Sequence, residues 1–393
     1  MKLSKVFVTS FIVAVLALTS CAGGGPKTVK VAVAMPLGLE VGEDMLNGVK
    51  LALEEAGGKA GNHMVELVVF DTSDPEGSPV SVDLEREAAV KAAEDEAVVG
   101  YIGAATTDQA KAITPVLNNA GIVEISPSAS WPGLTKPGYG PGEPGIYYPT
   151  GRRHFFRMIP SDDVQGEMAA RWASQLGFEN VYVVHDGTAY GQGVAGLFEV
   201  RAGDLGLQIL GVTSFDAEDA AQVNEAAVLV DEAQPDLLFF GGGYGYGGEV
   251  FIPAFRELNT TAVIMGIEGI IQDEFITDIG ADLVNGMYAT NSAVPVAQLA
   301  SAEDLMAAYQ AAYGKEPPSY AVNCYEAMKV LLYAIERAEE PTREGVLAAM
   351  KNLGEFSGVL GSWRFDDRGD ISNASISGMQ IQNGAWTFVQ VIE

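Results

Sequence analysis

Five short stretches carry side chains able to grip a small polar molecule, and each directly follows an apolar run. Gly103-Ala104-Ala105-Thr106-Thr107-Asp108 follows VVGYI, and Pro127-Ser128-Ala129-Ser130-Trp131 follows GIVEIS. Asp186-Gly187-Thr188-Ala189-Tyr190-Gly191 follows VYVVH, GGGYGYGG with Tyr244 and Tyr246 follows DLLFF, and Ile267-Glu268-Gly269 follows AVIMG. In an open α/β sheet, ligands bind beyond the carboxyl ends of the strands, which is where these stretches fall. The hydroxyls of Thr106, Thr107, Ser128 and Ser130, beside Trp131 and the amides of helix starts, suit a carboxylate. Tyr190, Tyr244, Tyr246 and Glu268 suit apolar or cationic groups. Together they describe a site for a small zwitterion. Each residue also has a plain structural reading: Ser128 and Ser130 suit helix caps, and Glu268 is one acid among many.

Other chemistry finds little support. Gly243-x-Gly245-x-x-Gly248 matches the dinucleotide fingerprint, following a strand and preceding a helix. In a chain with 46 glycines that match is cheap, and the loop follows several strands instead of opening the fold. No nucleotide or other cofactor is expected. His63, His154 and His185 lie far apart and lack metal-ligand spacing. No nucleophile elbow, zinc pair or paired-carboxylate arrangement stands out, so the chain does not read as an enzyme. A formal charge of −29 repels nucleic acid and anionic lipid headgroups. Cys324, in YAVNCYEAMKVLLYAIERA, reads as a buried structural thiol.

The elements that must position these residues alternate, which implies α/β architecture with parallel sheets. Strands are expected at 29–35, 65–71, 98–102 and 121–126, with helices at 43–55 and 83–93 and from about Asp108. The rhythm restarts at Ser161-Asp162-Asp163, a helix start leading to Leu176. Strands follow at 181–185, 207–214, 236–240 and 262–266, between helices at 191–205, 220–232 and 249–258. The stretches 28–131 and 159–268 thus share one plan, that of two doubly wound, Rossmann-like lobes with a cleft between them. Between them PGLTKPGYGPGEPGIYYPTGRR (132–153) holds five prolines and six glycines and reads as a long surface loop. Three helices (302–314, 320–338, 342–353) precede a final hairpin turning at Asn383-Gly384.

The first 21 residues, MKLSKVFVTSFIVAVLALTSC, run from a positive start through an apolar stretch to small residues and a cysteine. That order resembles a bacterial lipoprotein signal peptide, residues 1–20, cut before Cys21. Acylation of Cys21 is then expected, with residues 21–27 as a lipidated tether and the mature protein held on a membrane outside the cytoplasm.

Six stretches in order carry a wider resemblance: GEDMLNGVKLALEEAGG (42–58), ISPSASWPGLT (125–135), FFRMIPSDDVQG (155–166), VYVVHDGTAYGQG (181–193), VIMGIEG (263–269) and GSWRFDDRGD (361–370). The chain resembles the leucine/isoleucine/valine-binding family, the solute receptors of branched-chain amino-acid ABC importers. The resemblance implies a periplasmic-binding-protein type I fold whose lobes are joined by three crossovers near Pro160, Asn291 and Gly361. One lobe would comprise 28–159 plus 291–361, and the other 160–290 plus 362–393. It further implies that Ser130 contacts the amino-acid carboxylate, that the Ser128 carbonyl meets the ammonium, and that Glu268 pairs with that ammonium. Tyr190 would cover the ligand and Tyr244 or Tyr246 line the pocket. A monomeric receptor would then hand its solute to an ABC permease. Ala104 stands where relatives carry a serine, leaving Thr106 or Thr107 to substitute. Val41 and Trp131 also depart from the pattern, and the 132–153 loop is enlarged. These departures admit aromatic acids and amides as alternative ligands. A ligand-sensing receptor domain is the second functional class, and a secreted enzyme the third.

Overall fold

The computed structural model describes residues 26–74, 80–258, 261–293, 295–373 and 375–392. The expected signal segment 1–20 and Cys21 lie outside the described residues. The first sheet grows from β1 (Thr28–Met35), α1 (Glu40–Glu55), β2 (Lys59–Ala60), β3 (His63–Asp71), α2 (Val82–Glu94), β4 (Val98–Ile102), α3 (Thr107–Ala120), β5 (Val123–Ser126) and β6 (Phe155–Arg157). Its spatial order is β2-β3-β1-β4-β5-β6, parallel apart from the short β2.

The second sheet uses α4 (Asp162–Gln175), β7 (Asn180–His185), α5 (Ala189–Asp204), β8 (Gln208–Ser214), α6 (Ala220–Ala233), β9 (Leu237–Gly241), α7 (Gly248–Leu258), β10 (Val263–Ile267), α8 (Asp273–Ile279), α9 (Ala281–Val284) and β11 (Tyr288–Asn291). The chain then returns to the first lobe as α10 (Glu303–Tyr313), α11 (Ser319–Arg337), α12 (Arg343–Lys351), β12 (Phe356–Gly358) and β13 (Gly361–Trp363). It ends in the second lobe as β14 (Ile376–Gln382) and β15 (Ala385–Ile392), giving the order β15-β14-β11-β10-β9-β7-β8. The strand series β3-β1-β4-β5 and β8-β7-β9-β10 are the same winding used twice.

Burial on both faces explains the unbroken apolar runs. In β1, Val29, Val31, Val33 and Met35 enter one core cluster while Ala32 and Ala34 enter another on the opposite side. In β7, Val181 and Val183 face one side and Tyr182 and Val184 the other. A strand covered by helices on both faces has no polar side to show. Cys324 is buried in the α11 core, as its setting in the sequence implies. Helix α1 lies so close to α11 that a Cβ on Gly48 would collide with the Ala321 carbonyl, so only glycine fits there. Asn383 and Gly384 both adopt positive φ, at 54° and 78°, as a type I′ hairpin requires.

The structure departs from the sequence reading at three places. The 132–153 segment contains two single helical turns (Pro132–Leu134 and Gly145–Tyr147), and it buries Leu134, Tyr147 and Tyr148 in the first-lobe core. It is thus anchored to the core by its own aromatic residues, not merely laid over the surface. Strands β6 and β11, of three and four residues, are too short to show a periodic signature. Trp363, Phe365 and Ile371 pack in the first core, so the third crossing falls after Ile371, beyond the limit expected at 361.

Beneath β4, Tyr101 donates to the wholly buried Glu85 at 2.8 Å. Burial pushes the Glu85 carboxyl from its ordinary 4.5 up to about 8, so it is neutral at pH 7. The folded state therefore holds a proton that the unfolded chain releases, and stability falls as pH rises from about 4.5 through 8. Glu85→Gln is expected to flatten that fall, measured as urea midpoints between pH 5 and 9.

Candidate functional site

Arg157, at the end of β6, is the organising cation of the site. It is fully buried and pairs through Nε with Asp370 at 2.7 Å. Its Nη1 donates to the Trp131 carbonyl at 3.0 Å and reaches the Ala129 carbonyl at 3.5 Å, while Nη2 donates to Thr135. The Ser130 carbonyl between them accepts from the Asp162 amide at 2.9 Å. Three successive carbonyls, 129 to 131, are therefore held from outside the loop. The loop has no regular structure of its own, so this external grip sets where Ser130 sits. Removing the cation would leave the largely buried Asp370 with only the Thr135 hydroxyl at 3.1 Å and the Lys136 ammonium 3.9 Å away. Arg157→Met is expected to cost about 3–5 kcal/mol, read from chemical denaturation.

Of the residues singled out from sequence, the structure brings Ser130, Tyr190 and Glu268 together. Glu268 lies just past β10 and is buried. Its Oε2 accepts from Ser292 at 3.0 Å and from Gln165. The Tyr190 hydroxyl lies against it without completing a well-formed hydrogen bond. Burial raises the Glu268 carboxyl above its ordinary value, and the surrounding hydroxyls and amide only partly offset this.

A second acid stands beside it. Asp162, the first residue of α4, is buried and neither carboxylate oxygen completes a hydrogen bond, although the Ser130 hydroxyl draws near. Burial, reinforced by the Glu268 charge, pushes Asp162 up to about 8. Tyr320, from the first-lobe helix α11, is close enough to feel the charge of both acids. Two acids and two phenols thus converge from both lobes, and Arg157, whose charge reaches Asp162, is itself engaged by Asp370.

The remaining expected residues have other partners. The Ser128 hydroxyl donates to the Ala105 carbonyl at 2.8 Å, so it braces the neighbouring loop and caps no helix. Thr106 caps α3 by accepting from the Gln109 amide at 3.3 Å, while the buried Thr107 hydroxyl has no partner. Tyr244 donates to Asp278 at 2.6 Å within the second lobe. Tyr246 is set near Asp186 and Asp108 instead of Glu268. Trp131 donates from its indole to Glu143 at 3.0 and 3.1 Å.

Sequence reasoning missed Asp162, Gln165, Ser292 and Tyr320. Asp162 and Gln165 carried a signal, since a spacing of three puts both on one helix face, but DDVQG reads first as a helix start. Ser292 and Tyr320 belong to the second crossing and the following helices, where nothing local marks them. Among the described residues no cluster of histidine, cysteine or acids is arranged to hold a metal ion, and no helix is long and apolar enough to cross a membrane.

Two doubly wound lobes joined by three crossings define the class of two-lobed binding proteins. The chain belongs to the periplasmic binding protein family, whose model matches residues 32–385. It is 27% identical over 348 residues to the Leu/Ile/Val-binding protein BraC3 of Rhizobium johnstonii, covering 86% of each chain. It is also 27% identical over 355 residues to a leucine-, isoleucine-, valine-, threonine- and alanine-binding protein of Pseudomonas aeruginosa, covering 88% of each. Among solved structures, a leucine binding protein, LivK, from Thermotoga maritima superposes with a TM-score of 0.79 at 27% identity, covering 93% of this chain and 99% of that one. A solute binding protein from R. palustris in complex with benzoate shares the fold at 18% identity, with a TM-score of 0.77 and coverage of 93% and 96%.

Proposed function

We propose that this protein is the extracytoplasmic receptor of an ABC importer, capturing a small amino acid of the branched-chain type between its lobes and delivering it to a membrane permease. The observation that carries this reading is the buried acid pair, Glu268 and Asp162, neither of which forms an ion pair among the described residues. An ammonium group supplies the missing charge, and charge-assisted hydrogen bonds of that kind contribute roughly 1.5–3 kcal/mol each. Ser130, from the first lobe, receives the carboxylate, and Thr107, whose buried hydroxyl is unpartnered, replaces the serine that Ala104 displaces. Tyr190 and Tyr320 flank the ligand from the two lobes. Ligand contacts made only when the lobes meet then favour the closed arrangement.

A calorimetric titration with L-leucine tests the assignment directly. Glu268→Ala is expected to weaken binding at least tenfold while leaving thermal stability nearly intact; unchanged affinity discards the Glu268–ammonium contact. The pH dependence separates ligand classes. Glu268, whose facing titratable groups are Asp162, Tyr190 and Tyr320, must lose its proton to accept a cation, and its carboxyl is raised in the empty protein. Affinity for a zwitterion therefore rises with pH as the acid pair loses its protons, and Glu268→Gln reduces the slope, leaving the part that Asp162 contributes. A ligand that is an acid without an ammonium, such as benzoate, gives the opposite slope.

The lipid anchor forms part of the same proposal. The leader 1–20 is removed, Cys21 carries the acyl chains, and residues 21–27 tether the lobes to the membrane. Two acyl chains, at about 0.8 kcal/mol per buried CH₂, make such an anchor stable. Cys21→Ala is expected to shift the protein from the membrane fraction to the soluble fraction on cell fractionation.

A further inference from the structure

Trp131 belongs to the first lobe, yet its ring lies on the second. A Cβ placed on Gly193, within α5 of the second lobe, would sit 2.6 and 2.8 Å from the Trp131 ring carbons Cζ3 and Cε3. Real carbon contacts do not come that close, so the indole rests on bare glycine backbone. The indole itself is held from three sides. Its N–H bonds both oxygens of Glu143, and Tyr147 donates to the same carboxylate at 2.6 Å. The Tyr139 ring meets it edge-on with centroids 5.9 Å apart, and the Lys111 ammonium lies 4.4 Å from its ring centroid. Glu143, Tyr139 and Tyr147 all come from the 132–153 segment, whose aromatic anchors pin it to the first-lobe core.

From this arrangement we infer that Trp131 is an interlobe latch: the 132–153 segment is a clamp that holds the indole in one orientation, and Gly193 is its seat on the opposite lobe. The inference rests on the two-lobed receptor reading proposed above. Its physical basis is pre-organisation. A tryptophan already fixed before the lobes meet loses little rotamer freedom on closure, so its contact area adds to the affinity for the captured solute nearly in full. Ser130 is the preceding residue, and both are positioned through Arg157, so the latch and the expected carboxylate contact move as one unit. The clamp also removes Trp131 from the ligand-facing residues: its polar edge is spent on Glu143 and its ring face on the other lobe.

The pairing of a large ring with a missing side chain makes the inference testable by a double-mutant cycle. Gly193→Ala places a methyl group where the indole sits, and alanine favours a helix more than glycine does, so α5 is not endangered. The variants Gly193→Ala, Trp131→Ala and the double substitution are compared with the unmutated protein by calorimetric titration with L-leucine. Gly193→Ala is expected to weaken binding about tenfold in the presence of Trp131 and to have no effect once Trp131 is alanine. Glu143→Gln, which keeps the size but loses the charge, is expected to weaken binding by a smaller factor in the same direction. An equal effect of Gly193→Ala in both backgrounds, or no effect in either, overturns the latch. Failure of the unmutated protein to bind leucine overturns the ligand reading and leaves the latch to small-angle scattering. There the unmutated protein must be more compact than Gly193→Leu, and Trp131→Ala must restore compactness to that variant; equal radii overturn the latch as well.

Discussion

The buried ion pair between Arg157 and Asp370 is the constraint on which the rest of the site depends. Arg157 ends the last strand of the first sheet, and Asp370 lies just before the third crossing between the lobes. Their pairing fastens the start of that crossing to the first lobe beside the point where the first crossing begins. Because the guanidinium presents several donors in a fixed plane, the same residue also holds the carbonyls of Ala129 and Trp131. Lys136 adds a second tie to this region, bonding Ser161 at 2.7 Å and Asp163 at 2.8 Å, with Asp370 3.9 Å away. Hinge, ligand-facing loop and latch therefore share one electrostatic anchor.

A chain with a formal charge of −29 has little cation to spare, and the arrangement of charge inside it is correspondingly selective. Asp370 and Asp163 receive buried or half-buried cations, while Glu268 and Asp162 form no ion pair among the described residues. Burying a carboxylate without a counter-charge is costly, and the ordinary relief is to hold its proton. In the structural core, Glu85 takes that course behind Tyr101. In the cleft, the same physics raises Glu268 and Asp162, the pair to which we assign the ammonium of the solute.

Much of the architecture was legible in the residues alone. Alternating apolar runs and amphipathic segments marked most of the long strands and helices, because strands buried on both faces admit almost no polar side chain. Glu268 and Ser130 were legible as well, since each directly follows a strand on a chain whose strands are parallel, and topology sends such residues to the cleft. Tyr244 and Tyr246 carried the same positional signal, yet Tyr244 turned to Asp278 and Tyr246 toward Asp186. Position after a strand fixes where a backbone lies but not which neighbour a phenol chooses. The 132–153 segment was legible only as irregular, for proline and glycine report what a chain avoids and say little about what its aromatic residues will bury.

The amino-acid sequence by itself determined the two repeated lobes, the strand ends after which Ser130 and Glu268 fall, and the burial of Cys324, because these depend on local periodicity and on the order of elements. Tertiary structure alone decided that Asp162 is left without a partner beside Glu268, that Tyr320 and Ser292 join them from distant crossings, and that Trp131 rests on Gly193. Each of these is a meeting of residues from separate elements or lobes, set by how two sheets are hinged together. No local pattern encodes such a distance; it arises only when the crossings, held by Arg157 and Asp370, bring the lobes face to face.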